Sequence, residues 1–232
     1  MSLSLFIRDA SDLIERYNTL ELEIDGDQAI VKGSLPVVDV DGKLWHTYQV
    51  EIWYAENYPF AFPIVYETGG SIPRITDWHI NTNGSCCIDN EFSQQIKCCK
   101  GISLLEFMQK ELLPWLANQS YRRVTGNYVN GEQAHGDIGR IEFFMLELKA
   151  PNLISCVEWM LKLAVRELPP RQSVCFCGSG EKWRKCHKPI FEKMYPISIS
   201  ALHWAINRFM KFLKAGRPIL EEIQKQTPVP II

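Results

Sequence analysis

Trp78-His79-Ile80-Asn81-Thr82-Asn83-Gly84-Ser85-Cys86-Cys87-Ile88-Asp89 is the stretch on which the reading of this chain turns. It sets two adjacent thiols, an imidazole and two side-chain amides around a glycine, without a helical or a strand period. A cysteine in an irregular, glycine-containing segment can be exposed, and loops held by a rigid scaffold are where chemistry is placed. The amide of Asn81 can donate a hydrogen bond to an oxyanion that develops during acyl transfer. His79 can fix the same turn through backbone hydrogen bonds. Histidine and asparagine in loops serve structure more often than catalysis, so both readings stay open here.

Working outward toward the N-terminus, Tyr58-Pro59-Phe60 with Pro63 precedes the segment, and strand signals precede that. Leu5, Phe6, Ala10, Leu13, Ile14 and Tyr17 recur at helical spacing over residues 4–17. Leu20 to Ile24 alternate, Asp25-Gly26-Asp27 marks a turn, and a second strand is expected from about Gln28 to Val38. Asp41-Gly42 is a hairpin signal. After it Leu44, Tyr48, Val50, Ile52 and Tyr54 are expected on one strand face, with Thr47, Gln49 and Glu51 on the other. Ile64 to Glu67 supplies a short fourth strand.

Periodicity then vanishes from Gly69 to about Gly101, and a loop that long inside a compact domain is more often functional than idle. Ser103 caps a helix that carries Leu104, Leu105, Phe107, Met108, Leu112, Leu113, Trp115 and Leu116, with an expected interruption at Pro114. A polar stretch, Asn118 to Asp137, leads to the apolar run Ile141 to Leu148. Lys149-Ala150-Pro151-Asn152 reads as a boundary, which gives domains 1–150 and 151–232. Helical segments at about 152–167 and 199–225 flank a proline-bounded cysteine group at 169–189. The expected fold class is α+β: an N-terminal helix, a four-stranded antiparallel meander, later helices, and a helical C-terminal region.

Within that last region, Cys175, Cys177, Cys186 and His187 offer four ligands in thirteen residues. Zinc prefers tetrahedral thiolate and imidazole donors, and Gly178 and Gly180 let the backbone fold tightly enough to join the pairs. So short a polar segment has no core of its own, so metal binding would supply its folding energy. The full ligand set implies a structural site. Free thiols in a loop are the competing reading, disfavoured because unligated cysteine prefers burial. The run Cys-x-Cys-Gly-Ser-Gly, followed by Lys182 and a closing Cys-His, resembles the SEC-C zinc motif, a small appendage found at the ends of many bacterial proteins. The pairs Cys86-Cys87 and Cys98-Cys99 offer a second zinc site on paper, but adjacent cysteines reach one metal at poor angles.

Lysine plus arginine total 25 against 27 aspartate plus glutamate, a balance that argues against a non-specific nucleic-acid binder. The basic run Lys182-Trp183-Arg184-Lys185 is too short for a phosphate track. No stretch is long and uncharged enough to span a bilayer, and the N-terminus is unlike a signal peptide. A cytoplasmic setting is expected, where thiols stay reduced and read as ligands or nucleophiles.

Tyr58-Pro59 with Pro63, His79-x-Asn81 and Gly84-x-x-Cys87-Ile88-Asp89, in this order after a helix and four strands, resemble the ubiquitin-conjugating enzyme family. The resemblance spans roughly residues 1–150 and is clearest over the first 118. It implies a thioester carrier in which Cys87 holds an acyl group, Asn81 supports the tetrahedral intermediate, and His79 shapes the loop. Ile80 stands where the family has proline, the interval from Asn81 to the cysteine is short, and Cys86 adjoins Cys87. The doubled cysteine and the later His135-Gly136 resemble the bacterial branch encoded in antiphage (CBASS) operons. For that branch the implied partner is the C-terminus of a cGAS-like nucleotidyltransferase, with Cys86 in a supporting or relay role. Segments 69–101 and 118–137 are expected to line the approach to the thiol. No Gly-rich nucleotide loop accompanies these motifs, so ATP-dependent activation is expected elsewhere. Two other readings compete: a binding protein that scaffolds a partner without turnover, and a cysteine hydrolase using His79 or His135 as base.

Overall fold

The computed structural model describes residues 2–129, 134–166 and 168–215. Its contacts divide the chain into two compact units, Met1–Glu132 and Gln133–Ile232.

The first unit begins with helix α1 (Ser2–Arg16), whose helical stripe buries Phe6, Ala10 and Leu13. Strands β1 (Leu20–Asp25), β2 (Gln28–Val38), β3 (Leu44–Trp53) and β4 (Ile64–Glu67) come next. They form one antiparallel sheet in the order β1-β2-β3-β4, the meander the turn signals predict. Asp39 builds the β2–β3 turn by accepting the amides of Asp41 and Lys43 on its carboxylate. Tyr48, Val50 and Ile52 face the core as the alternation requires, while Thr47 and Gln49 are exposed. Leu44 departs from that pattern. It pairs with Val38 beyond a bulge at Val37/Val38, past the end of the core, and is 56% exposed.

One helical run closes the core, and it corrects the expectation at Pro114. Helix α3 (Leu104–Phe107) continues through a π-helical turn (Met108–Leu112) into α4 (Leu113–Thr125) without a gap. Proline has no N–H to contribute, so its place in the first turn of α4 loses little, and the wide turn before it accommodates the ring. Helix α1 and this run pack with the sheet around Leu35, Phe107 and Leu112, all fully buried. Each such side chain stabilises the fold by about 1.5–3 kcal/mol relative to exposure. A short helix α2 (Glu91–Lys97) lies inside the stretch expected to be irregular. Only Phe92 of it is buried, so it leaves no periodic stripe, and Asn90 caps it by accepting the Phe92 amide at 2.8 Å.

The second unit is helical: α5 (Gly136–Leu148), α6 (Leu153–Val165), α7 (Lys188–Met194) and α8 (Ile199–Ala215). Helix α5 packs on α6, α7 and α8, so the division falls before this helix rather than at 150. Phe144 of α5 meets Phe209 of α8 edge-on at 5.9 Å, and Asp137 receives a two-pronged ion pair from Arg208. Lys149-Ala150-Pro151-Asn152 is a tight joint between helices: Lys149 turns the chain at φ 56°, and Asn152 caps α6. Of the helix expected over 199–225, residues 216–225 lie outside the described residues, as does Glu167. Among the described residues no helix is long and apolar enough to cross a membrane.

Candidate active site and candidate metal centre

The central segment leaves β4 through a loop and a single 3₁₀ turn at Thr76–Trp78. His79 then reverses the chain in the left-handed region, at φ 53°. Residues 79–87 form a miniature hairpin. The Asn81 amide donates to Ser85 O at 2.8 Å, the Cys87 amide donates to His79 O at 2.7 Å, and Ile80 faces Cys86. Gly84, at φ 85°, closes the turn by donating to Asn81 O. The second arm docks on β4, with Ser85 opposite Tyr66 and the Cys86 amide bonded to Val65 O at 2.7 Å.

Side chains alternate along such arms, so this register decides the fate of the two thiols. Ile80 and Cys86 point into the core, at 4% and 9% exposure. Asn81, Ser85 and Cys87 therefore share the other face, where Cys87 is half-buried and Asn81 exposed. Burial pushes the Cys86 thiol up to about 12, with the nearby Glu67 carboxylate and Cys87 adding to the rise. A thiol held there is protonated at neutral pH and is a poor nucleophile. The Ile80 amide donates to Ile75 O and its side chain fills the core, so a proline at this position would lose both.

Helix α4 pins this loop by one face. Trp115 Nε1 donates to Cys87 O at 3.1 Å, Gln119 Nε2 donates to Trp78 O at 3.3 Å, and the Arg122 guanidinium donates to Asp77 O. The Arg122 guanidinium also lies over the rings of Trp78 and Tyr128, at 4.6 and 4.5 Å. Tyr128 completes the support: its hydroxyl donates to Gln119 Oε1 at 3.3 Å, and its ring lies 5.2 Å from that of His79. Beside the hairpin is a cleft of about 250 Å³ lined by Arg74, Thr76, Ile80, Asn81 and Asn83 among others. Beyond Cys87, Asp89 joins Glu111 in clamping the Lys97 ammonium, at 2.8 and 2.7 Å. Burial pulls that ammonium down, but the two carboxylates outweigh it and hold it above the ordinary lysine range.

In the second unit Cys175, Cys177, Cys186 and His187 place one ligand atom each within 4.8 Å of one another. A short ribbon brings them together: the Cys175 amide donates to Glu181 O and the Trp183 amide to Ser173 O, both at 2.8 Å. Gly178 and Gly180 make the turn at φ near 79° and 77°. The imidazole fits a metal ligand on its own chemistry. Nε2 lies 2.9 Å from Leu148 O, an acceptor, so that nitrogen carries the hydrogen. Nδ1 then turns a lone pair toward the Cys175 and Cys186 sulfurs, at 3.3 and 3.1 Å. Such a carbonyl partner is what orients metal-binding histidines. Trp159 and Phe176 pack on the ring, at 4.6 and 5.3 Å. Three thiols and one imidazole so gathered could hold a metal ion.

No family model, curated protein or solved structure matches the chain.

The structure thus brings Cys86, Cys87, Asn81 and His79 into one hairpin, with the two thiols on opposite faces. His135, the other histidine considered as a base, caps α5 in the second unit. Cys98 is buried and Cys99 exposed, and among the described residues these do not join Cys86 and Cys87 in a ligand group. Sequence reasoning does not single out Trp115, Gln119, Arg122, Tyr128 or Ser85 as residues of the site. A signal exists for the first three: they succeed one another at helical spacing, and Gln119 is a polar residue on an otherwise apolar stripe.

Proposed function

We propose that the first unit is a ubiquitin-conjugating-like acyl carrier in which Cys87 holds a protein C-terminus as a thioester and yields it to an amine. The Cys87 thiolate attacks an activated carbonyl and expels its leaving group. An amine then attacks the thioester and loses a proton to water, the oxyanion is met by the Asn81 amide, and collapse releases the thiolate and forms an amide. The observation that carries this reading is the hairpin register, by which half-buried Cys87 shares a face with Asn81 while Cys86 turns to the core. Cys86 is then a packing residue rather than a relay. From the family resemblance, the carried tail belongs to a cGAS-like nucleotidyltransferase, the setting is cytoplasmic, and the process is antiphage defence. In the second unit the ion is zinc, bound as in SEC-C motifs by Cys175, Cys177, Cys186 and His187, and structural because all four positions are filled by protein. Zinc supplies folding energy there, while Leu148 and the aromatic rings orient His187.

The test is to capture the adduct. Protein taken from cells that contain the synthase should carry a hydroxylamine-sensitive peptide on Cys87, identified by mass spectrometry as that enzyme's C-terminus. Conjugates that persist in Cys87→Ala would overturn the carrier reading. Conjugates that persist after truncation of the synthase's last residues would reassign the donor. A chain that binds the synthase but never carries an adduct would be a scaffold.

A further inference from the structure

Asn81, Ser85 and Asn83 form a directed chain of hydrogen bonds on the side of the hairpin away from Cys86. The Asn81 Nδ2 group donates to Ser85 Oγ at 3.0 Å, and the Ser85 hydroxyl donates to Asn83 Oδ1 at 2.8 Å. The same Asn83 oxygen accepts the Ser85 backbone N–H at 3.1 Å. That last bond fixes the polarity of the whole chain, because a backbone N–H can only donate. It holds the Asn83 carbonyl toward Ser85, which draws the Ser85 proton the same way. The Ser85 lone pairs are left facing Asn81, so the Asn81 side chain turns its NH₂ group, and not its oxygen, to Ser85, on the arm and face that also carry Cys87. One N–H of that group is used by Ser85, and the second has no protein partner among the described residues. Ser85 is itself 7% exposed, so water competes poorly for its hydroxyl.

We propose that Ser85 is a positioning residue that sets which end of the Asn81 amide faces the reacting carbonyl at Cys87. The assignment rests on the acyl-transfer reading above. An amide turned the other way would place an oxygen, not a donor, against the oxyanion and would oppose the reaction. Ser85 acts through Asn81 and does not touch the acyl group.

Acetylation of the full chain with p-nitrophenyl acetate tests this. The Cys87 thiolate displaces p-nitrophenolate to give an S-acetyl group, which glycine ethyl ester then removes as an amide, with its proton passing to water. Peptide mapping tracks Cys87 separately from exposed Cys99. Asn81→Ala and Ser85→Ala should both slow aminolysis roughly tenfold or more, as losing or misdirecting an oxyanion donor does. Ser85→Thr keeps the hydroxyl and should stay within about threefold of the parent, a rescue no loss of packing would give. Alkylation of Cys87 by iodoacetamide, which displaces iodide without an oxyanion, should be unchanged in all three. Ser85→Ala at the parent rate beside a slow Asn81→Ala overturns the proposal and leaves the carrier reading intact. Equal slowing in Ser85→Ala and Ser85→Thr, or altered alkylation, also overturns it, since the serine would then only hold the hairpin's shape. Failure of the carrier reading looks different: Cys87 takes up no acetyl group, or Asn81→Ala reacts at the parent rate, and the proposal falls with it.

Discussion

Cys175, Cys177, Cys186 and His187 lie within thirteen residues, whereas the loop holding Cys87 is tied down by Trp115, Gln119 and Arg122 from a distant helix. The first arrangement is local, a short ribbon on which four side chains converge. The second is non-local and draws its order from a hydrophobic core that would exist without it. A local site can be read from spacing and lost with one ion. A non-local site is hard to read but is held by many weak bonds, so each single loss should be graded. The largest difference should appear at the thiols. Cys87→Ala should abolish conjugate formation while leaving metal content unchanged, as gel and elemental analysis would show. In the parent at pH 8, iodoacetamide should label Cys87 and Cys99 and spare Cys86, which is buried in the core with its thiol pushed up by that burial. Labelling of Cys86 as fast as Cys87 would reverse the assignment of faces.

The metal centre should come next in size. Metal analysis of purified chain should give one ion, and Cys175→Ser with Cys177→Ser should remove it. Metal free energy in such sites is on the order of 10 kcal/mol, enough to decide whether the segment folds. Chelation should therefore loosen residues around 173–187 by hydrogen exchange while the sheet amides of the first unit stay protected. Loss of protection in β2 and β3 on chelation would contradict the independence of the two cores.

A graded effect is expected from the non-local side. Gln119 is fully buried, and its amide joins Trp78 O to the Tyr128 hydroxyl. Gln119→Leu keeps the bulk, orphans Trp78 O and leaves the Tyr128 hydroxyl only its long bond to Asp77 O, a cost of roughly 1–3 kcal/mol. Exchange at the Cys87 amide, bonded to His79 O, should rise more than exchange in β2. A variant that melts early but leaves the Cys87 amide as protected as before would show that Gln119 serves packing and not the loop.

These contrasts explain what could be read from the sequence. The four strands and α1 follow from alternation and helical stripes that report burial directly, and the convergence of Cys175, Cys177, Cys186 and His187 follows from their spacing. Leu44 misled because alternation says which face a residue takes and not where the core ends. Pro114 misled because a π turn absorbs a ring that a regular helix would refuse. Helix α2 buries one side chain and so carries no stripe, and Pro151 reads as a linker although it lies at a corner between α5 and α6, which pack together. At the candidate site the residue types were visible, but their faces were not. Whether Cys86 or Cys87 points outward depends on one pairing, Ile80 with Cys86, that no local propensity specifies.

The smallest effect tests how much one ion pair adds to the helix packing of the second unit. Asp137 accepts two bonds from Arg208 and one from Arg140, joining the start of α5 to α8. The Arg208 hydrogen bonds, opposed by burial and aided by Arg140, hold its carboxyl below the usual aspartate range. A carboxyl depressed in the folded state contributes stability that is present above its unfolded value, near 3.8, and is lost as pH falls through the lower folded value. The pair should therefore be indifferent to pH between neutrality and about pH 5 and should fail only below about pH 4. Metal release also occurs in acid, as protons compete for the sulfurs and the imidazole, and it should set in at higher pH. The two losses can be separated by comparing the parent with Asp137→Asn, which keeps the shape and removes the charge. Asp137→Asn should melt a few degrees lower at neutral pH with its metal intact, and the gap should close in acid as the parent's own carboxyl is protonated. If the gap instead persists unchanged to pH 3, the stabilising group is not the Asp137 carboxylate, and α5 is held to α8 by packing such as that of Phe144 on Phe209 and Arg140 on Trp204.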